Sequence, residues 1–454
     1  MNIFNLKLNL FSIEFLILFL IFFIIYNKSN LKIQNILLLA FSLFFIYKIN
    51  LYCFIVLIIF TFFIHFFALS IYTRNSKNIF LTIIFAVVLN LAFFKSYQYI
   101  KDSLDYFFTL INLEGFSEIF FPVGLSYYTF NSITYLVYIY KNKERPVGYF
   151  YLLSYFSFFA IFLSGPIFEF KDFKKQFDNL KRFKHLNLVL SNILFALVKM
   201  LFLLPFIDKL FIDYANDIDN LGILGLLNYF YLYSIKLYLD FSAYVNLVSA
   251  IALILGIKLP RNFNNPFKAK NIQDFWRRWH MSLSNFIKNY IYIPLGGRTK
   301  NIIRHYFNIF CAFSLSGLWH GVELNFLVWG LLHACGLIFI NIFKFNMKPI
   351  LSSFINFTYI SLIWSFFFLT FDNAINTLSL FINNKNISIQ EIYLFTTIVV
   401  LFIINFYSKN HLALLVIFLR KLDLITKIIF INIVLLIVFI YMPNGIPNFI
   451  YIGF

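Results

Sequence analysis

Long apolar runs, separated by short polar or basic connections, recur along the whole chain. A run of about 20 apolar residues is long enough to cross a bilayer as an α-helix. The runs lack the period-two alternation of barrel strands, which favours a helical bundle. After a first span that ends at Tyr26, further spans are predicted at about residues 32–48, 51–72, 79–94, 149–163, 186–207, 223–239, 241–257, 302–319, 324–343, 350–371, 392–407 and 424–442.

These runs predict an all-α, polytopic membrane protein of about 11–13 transmembrane helices, forming a single integral membrane domain over residues 1–454. The first run is interpreted as a retained span, because no small-residue cleavage site follows it. Composition agrees, since hydrophobic residues make up 61% of the chain and charged residues 12%. The net charge of +18 matches the Lys and Arg excess of cytoplasmic loops, and no nucleic-acid partner is expected.

Two segments are more polar than a lipid-facing helix. Residues 119–140 have a helical pattern but carry Ser, Thr, Asn and Tyr side chains, and we expect them to face protein or water. Residues 258–300 contain many Lys and Arg residues and the turn signal Asn264-Asn265-Pro266. We predict that this second segment is a re-entrant and cytoplasmic catalytic segment built from short helices.

His280 and His320 both follow a tryptophan in apolar surroundings. Ionisable groups at membrane depth are expected to line a cavity or a functional site. On a helix predicted from Gln273 to Tyr290, His280 lies on a buried aromatic stripe with Trp276 and Trp279. The alternative interpretation of His280 is a packed core histidine bonded to a backbone carbonyl.

His320 lies between Ser316-Gly317 and Gly321, at the end of an apolar helix. Small neighbours allow another backbone or a substrate to approach closely. A neutral imidazole accepts a proton near pH 7, which suits a general base. A helix-packing histidine is the alternative, and three nearby polar residues are possible assistants: Glu323, Asn325 and His333.

No other chemistry is indicated by the sequence. The remaining histidines and the three cysteines have no ligand-like spacing, so no metal site is predicted. The GxSxG, GxxxxGK[ST], GxGxxG and HExxH motifs do not occur in the chain.

The sequence resembles the membrane-bound O-acyltransferases, and most closely the bacterial branch that acetylates alginate and peptidoglycan. The teichoic acid D-alanyl transferases are related to this branch. Val245-Asn246 and Leu324 depart from the pattern, because Ser-Asp and Trp are usual there. The matching segments are FPVGLSYYTFNSITYLVYIYKN (121–142), FLSGPIFEFKDF (162–173), LDFSAY (239–244), RNFNNPF (261–267), DFWRRWHMSLSNFIKNYIYIPLGG (274–297), SGLWHG (316–321) and NFIYIGF (448–454).

The resemblance implies a funnelled helical bundle with a mid-membrane site, in which His320 is the catalytic histidine and His280 its upstream partner. It implies acetyl-CoA as the cytoplasmic donor, and no permanently bound cofactor. The acetyl group would cross the inner membrane to a periplasmic transferase that O-acetylates peptidoglycan. The CoA phosphates suit a basic cytoplasmic entrance formed by Arg277, Arg278, Arg298 and Lys300.

Three alternatives remain open at this stage. O-acetylation of alginate or another exopolysaccharide, and D-alanyl transfer, belong to the same reaction class. A transporter or flippase without acyl chemistry would also use broken helices and midplane polar residues. A transporter usually has corresponding interrupted segments in its two halves, whereas only one such cluster occurs in this sequence.

Tyr451 is predicted to pass the acetyl group onward, because its hydroxyl is a possible acyl acceptor in an aromatic tail. The alternative is an anchor in the aromatic belt of the membrane interface. Tyr451→Phe removes only the hydroxyl oxygen, so an anchor should tolerate the change and a relay should not. We expect glycan acetylation to be lost in a Tyr451→Phe strain, and normal acetylation there would assign the tail a structural role.

Overall fold

The computed structural model describes residues 13–110, 121–343, 346–384 and 386–442, and every regular element in these ranges is helical. The first eight helices are α1 Ile13–Lys28, α2 Leu31–Ile49, α3 Leu51–Arg74, α4 Lys77–Leu110, α5 Leu125–Asn142, α6 Tyr149–Ser157, α7 Phe159–Phe162 and α8 Phe170–Phe177. The others are α9 Leu186–Leu197, α10 Leu204–Asn216, α11 Ile223–Ile254, α12 Ile272–Trp276, α13 Met281–Ile287, α14 Ile302–His320, α15 Leu324–Ile342, α16 Pro349–Ile363, α17 Ser365–Phe368, α18 Phe371–Asn383, α19 Ile389–Tyr407, α20 His411–Lys421 and α21 Leu424–Tyr441. Two π-helical turns (Val198–Leu203 and Lys288–Tyr292) and two 3-10 turns (Ile218–Asn220 and Pro266–Lys268) connect them.

Nine helical stretches of the described part are long and apolar enough to cross a membrane, which confirms the predicted all-α, polytopic membrane protein. They are Leu31–Ile49, Leu51–Arg74, Lys77–Tyr97, Leu186–Asn216, Ile223–Ile254, Leu324–Ile342, Pro349–Phe368, Ile389–Tyr407 and Leu424–Tyr441. Between residues 258 and 300 the longest α-helix, α13, has 7 residues. This helix is too short to cross the bilayer, and the re-entrant placement of the segment stays a prediction.

The chain packs into two compact units. One comprises Met1–His185 and Ile251–Pro260, and the other comprises Leu186–Ala250 and Arg261–Phe454. Both predicted catalytic histidines belong to the second unit. The single domain predicted over 1–454 stays a prediction.

In the first unit, the polar helix α5 is surrounded by protein, as its composition predicted. Its residues from Leu125 to Leu136 are all buried. Tyr127 and Ser164 hydrogen-bond through their hydroxyl groups at 2.9 Å. The Thr134 hydroxyl lies 3.0 Å from the Tyr155 hydroxyl. Such side-chain bonds satisfy polar groups that lipid would leave unpaired.

The span predicted at 149–163 is wrong as one helix. The chain leaves the helical conformation at Phe158, so α6 and α7 are short separate helices. The backbone N–H of Phe159 donates to the Ser42 hydroxyl at 3.3 Å. Because the helix breaks at Phe158, the Phe159 N–H has no carbonyl acceptor within a helix, and the Ser42 hydroxyl takes that place.

The two spans predicted at 223–239 and 241–257 are also wrong, because α11 is one continuous helix of 32 residues. The prediction placed a boundary at the polar Asp240. In the structure Asp240 is buried inside the protein. A charged residue that faces protein does not have to end a helix at a membrane surface.

In the second unit, α14 and α15 approach each other through two glycines. A Cβ atom on Gly317 of α14 would lie 2.2 Å from the Phe326 carbonyl oxygen of α15. A Cβ atom on Gly330 of α15 would lie 2.3 Å from the Phe313 carbonyl oxygen of α14. Small residues of this kind allow helix backbones to touch within a membrane.

Gly317→Ala is therefore expected to push the two helices apart and to destabilise the fold by about 1–3 kcal/mol. The measurement is thermal unfolding of the purified protein in mild detergent. Gly148→Ala is the matched control, because no atom of the described residues, apart from Gly148 and its two chain neighbours, lies within 4 Å of the position that a Cβ atom would take there. Equal melting temperatures for the two variants would contradict the close helix contact.

Candidate active site

His320 is the last residue of α14 and is buried, with 6% of its surface exposed. Its ring packs edge-on against Trp329 and Phe367, with ring centroids 5.2 and 4.8 Å away. Because α14 and α15 touch at their glycines, Trp329 is brought from the second helix onto the histidine at the end of the first. His320 thus lies in an aromatic pocket of low polarity.

His280 lies in a tight turn between α12 and α13 and is also buried, with 2% exposed. The backbone of the preceding loop holds this turn. The N–H of Met281 donates to the Asn262 carbonyl at 3.0 Å, and the N–H of Asn264 donates to the Arg278 carbonyl at 2.9 Å. The Asn262 side chain accepts a third bond, from the N–H of Ser282, at 3.3 Å.

The helix predicted from Gln273 to Tyr290 is wrong, because the chain breaks between α12 and α13. His280 has φ +39°, in the left-handed region that non-glycine residues seldom adopt. In a continuous helix, the backbone N–H and C=O groups of this turn would hydrogen-bond to one another. Here Asn262 and Asn264 of the loop bond to them instead. The buried aromatic face is nevertheless confirmed, because Trp276 and Trp279 are buried.

The His280 ring packs edge-on against Phe241, with the centroids 4.8 Å apart. Burial lowers the pKa of the His280 imidazole to about 3. The ring is therefore neutral near pH 7. It can form hydrogen bonds, but it does not become protonated at that pH.

His333 connects the surroundings of the two histidines. It is fully buried on α15, and its Nδ1 accepts a hydrogen bond from the Trp276 indole N–H at 3.3 Å. Its ring lies 4.7 Å from that of Trp329, which also contacts His320. The aromatic cluster continues from Trp329 to Trp364 at 5.6 Å, and from Trp364 to Trp279 beside His280 at 5.5 Å.

The four predicted donor-binding cations lie on two different segments. Arg277 is exposed, whereas Arg278 forms an ion pair at 2.9 Å with Asp274, four residues earlier in the chain. Arg298 and Lys300 are exposed in the turn that precedes α14. In the described part of the chain, no hydrogen bond or ion pair joins the first pair to the second.

Some of the site was not predicted from the sequence. The Trp276–His333 bond depends on the packing of α12 on α15, which has no local sequence signal. The loop that holds the His280 turn does have a local sequence signal, namely the asparagines and the proline of RNFNNPF. Tyr451 lies outside the described residues.

A buried histidine in an aromatic enclosure, as at His320, suits proton transfer during acyl transfer, because little water competes there. The sequence model of the membrane-bound O-acyltransferase family matches residues 15–381. The chain belongs to this family. The matched residues include His280 and His320, together with the glycine contact, the aromatic cluster and the loop that holds the turn.

Individual members of the family are also similar to this chain. A peptidoglycan O-acetyltransferase of Helicobacter pylori is 33% identical over 333 residues, which cover 63% of this chain and 62% of that protein. A probable alginate O-acetylase of Pseudomonas aeruginosa is 32% identical over 279 residues, covering 57% and 50%. A teichoic acid D-alanyltransferase of Bacillus subtilis is 33% identical over 244 residues, covering 50% and 60%. The similarity to these relatives spans between half and about three-fifths of their own lengths.

The Trp276–His333 hydrogen bond predicts energetic coupling between α12 and α15. Trp276→Phe removes the donor and His333→Phe removes the acceptor, and each leaves one buried polar group unpaired. The double variant should lose about 0.5–1.5 kcal/mol less than the sum of the two single losses. Unfolding free energies in detergent–denaturant titrations measure this difference.

The control pairs Trp276→Phe with His65→Phe, because His65 belongs to the other unit. The losses of this control pair should add. Additive losses for Trp276 and His333 as well would show that the bond does not couple the two helices.

Proposed function

We propose that this chain is an O-acyltransferase that moves acetyl groups from cytoplasmic acetyl-CoA across the inner membrane for O-acetylation of peptidoglycan. Family membership supports the reaction class, and the similarity to the Helicobacter pylori peptidoglycan O-acetyltransferase supports the substrate class. The observation that carries the proposal is His320, a buried histidine held in an aromatic pocket at the end of α14.

In the proposed reaction, His320 is the general base. An acceptor hydroxyl oxygen attacks the thioester carbonyl carbon, and the C–S bond breaks to release the CoA thiol. The imidazole of His320 takes the proton of the attacking hydroxyl and returns it to the departing sulfur. The aromatic walls formed by Trp329 and Phe367 limit competition by water.

His280 has a different role in the proposed reaction. Because its ring is neutral near pH 7, it acts as a hydrogen-bonding partner of the reacting groups. The turn that carries it is fixed by the backbone of the preceding loop and by the Asn262 side chain, so its orientation is determined before substrate binds.

A cytoplasmic thioester donor and a periplasmic partner protein complete the proposed reaction. The thioester enters from the cytoplasmic side, and the acetyl group leaves through Tyr451 to a periplasmic O-acetyltransferase. The surrounding membrane lipids contact the apolar outer faces of the spans. The CoA phosphates are held by the basic residues Arg277, Arg278, Arg298 and Lys300.

A second candidate acceptor is alginate or another exopolysaccharide. The Pseudomonas aeruginosa relative favours it, being similar to this chain at nearly the same identity as the peptidoglycan relative. Mass analysis of muropeptides from a deletion strain separates the two acceptors. Loss of peptidoglycan acetyl groups supports the first proposal, whereas unchanged muropeptides with loss of exopolysaccharide acetyl groups support the second.

His320→Ala should insert and fold normally yet lower acetyl transfer by about 10²–10⁴-fold, because the general base is absent. The measurement is glycan acetylation in a deletion strain that expresses the variant at the wild-type level. His280→Ala should cause a smaller but clear loss.

His305→Ala is the matched control, since His305 lies near the start of the same helix and hydrogen-bonds to Tyr292. We expect near-normal acetylation for this control. Near-normal acetylation by folded His320→Ala would refute the assignment of the base, and would favour a transporter without acyl chemistry.

A further inference from the structure

Lys199 is the only charged residue between residues 186 and 207, inside a predicted membrane span. It lies on the π-helical turn Val198–Leu203, between α9 and α10. π-Helical turns within α-helices frequently occur at functional sites. A cation inside a membrane span is costly and is by default a candidate for a site. Nothing in the proposed reaction uses Lys199.

Neutral groups hold the Lys199 ammonium. It donates to the Ser242 hydroxyl at 3.0 Å and to the Asn246 side-chain oxygen at 2.9 Å. Asn246 in turn donates to the Asn192 side chain at 2.8 Å, so its orientation is fixed. The Tyr238 ring lies beneath the ammonium at 5.5 Å. These contacts position the Lys199 nitrogen, and none of the three partners carries a negative charge.

A second lysine and a histidine meet at Ser408, in the connection between α19 and α20. The Lys268 ammonium donates to the Ser408 carbonyl, and His411 Nε2 is hydrogen-bonded to the Ser408 hydroxyl at 3.1 Å. Burial lowers the pKa of His411, and the positive charges of Lys268 and Lys199 lower it further. The packing of α9 against α20 brings the segment that carries Lys199 next to the helix that begins at His411.

The charge in this cluster is unbalanced. None of the ion pairs formed within the described ranges includes Lys199, Lys268 or His411. The N-terminus of α20 adds the positive end of its helix dipole at His411. Convergent cations on separate segments, next to a helix N-terminus, attract phosphate groups.

We propose that Lys199, Lys268 and His411 form a binding site for a phosphate-bearing ligand. The phosphate oxygens accept hydrogen bonds from the two ammonium groups and balance their charge. The ligand is either a phospholipid headgroup of the membrane or the phosphate part of a CoA donor. Basic pockets between membrane helices bind anionic headgroups, and Lys268 is also within electrostatic range of Arg278, one of the proposed donor-binding residues.

Two substitutions test the site without relying on catalysis. Asn246→Asp places a carboxylate on the Lys199 ammonium, which neutralises the charge and keeps the hydrogen bond. Lys268→Met removes a second charge and keeps a long side chain. The matched controls are Asn179→Asp, which adds the same carboxylate at an exposed position of the other unit, and Lys421→Met, which removes an exposed lysine at the other end of α20.

The first measurement is the affinity of the purified full chain, in neutral detergent, for phosphatidylglycerol compared with phosphatidylcholine. The second is equilibrium titration with CoA compared with dephospho-CoA, which requires no turnover. At about 1 kcal/mol per charge, each test variant should weaken binding of the anionic probe about fivefold. The two controls should bind it like the wild type.

A loss confined to phosphatidylglycerol identifies a lipid headgroup site, and a loss confined to CoA identifies a donor-phosphate site. Both results support the proposal and remain valid even where acetyl transfer fails. Wild-type affinity of folded Asn246→Asp and Lys268→Met for both anionic probes would overturn it. Thermal unfolding verifies folding, and should Lys268→Met not fold, Asn246→Asp alone decides the outcome.

Discussion

The contact between the backbones of α14 and α15 is the constraint on which the candidate active site depends. At Gly317 and Gly330 the two helices are closer than any side chain would allow. This approach brings Trp329 of α15 onto His320 of α14, and His333 lies one helical turn further along α15. The aromatic pocket is therefore a consequence of two missing Cβ atoms.

The turn at His280 follows a different physical rule. A non-glycine residue in the left-handed region costs roughly 1–2 kcal/mol. The three hydrogen bonds from the Asn262–Asn264 loop to this turn each contribute about 0.5–1.5 kcal/mol, which offsets that cost. The His280 side chain is thus oriented by hydrogen bonds from the preceding loop to its turn, whereas His320 is oriented by helix packing.

The sequence predicted the features that depend on hydrophobicity and missed those that depend on tertiary contacts. The all-α membrane architecture, the buried polar helix α5 and the buried tryptophans beside His280 were predicted from apolar patterning and side-chain polarity. The break at Phe158, the continuity of α11 through Asp240 and the left-handed His280 were not. Each of these three features depends on a contact with a residue distant in sequence or on the burial of a side chain. A local sequence pattern does not reveal such contacts or such burial. Tyr451 and the roles of the basic residues stay predictions.

The π-helical turn at Val198–Leu203 has a consequence for how this family varies between species. A π turn accommodates one residue more than the same turn of α-helix, and one residue corresponds to about 100° of rotation. A relative that lacks this residue would keep an equally apolar span, yet the side chains on one side of the gap would face new neighbours. Lys199 would then be turned away from Ser242 and Asn246. A single-residue gap in an alignment at this position would therefore indicate different contacts between buried side chains, although the hydropathy of the span would be unchanged.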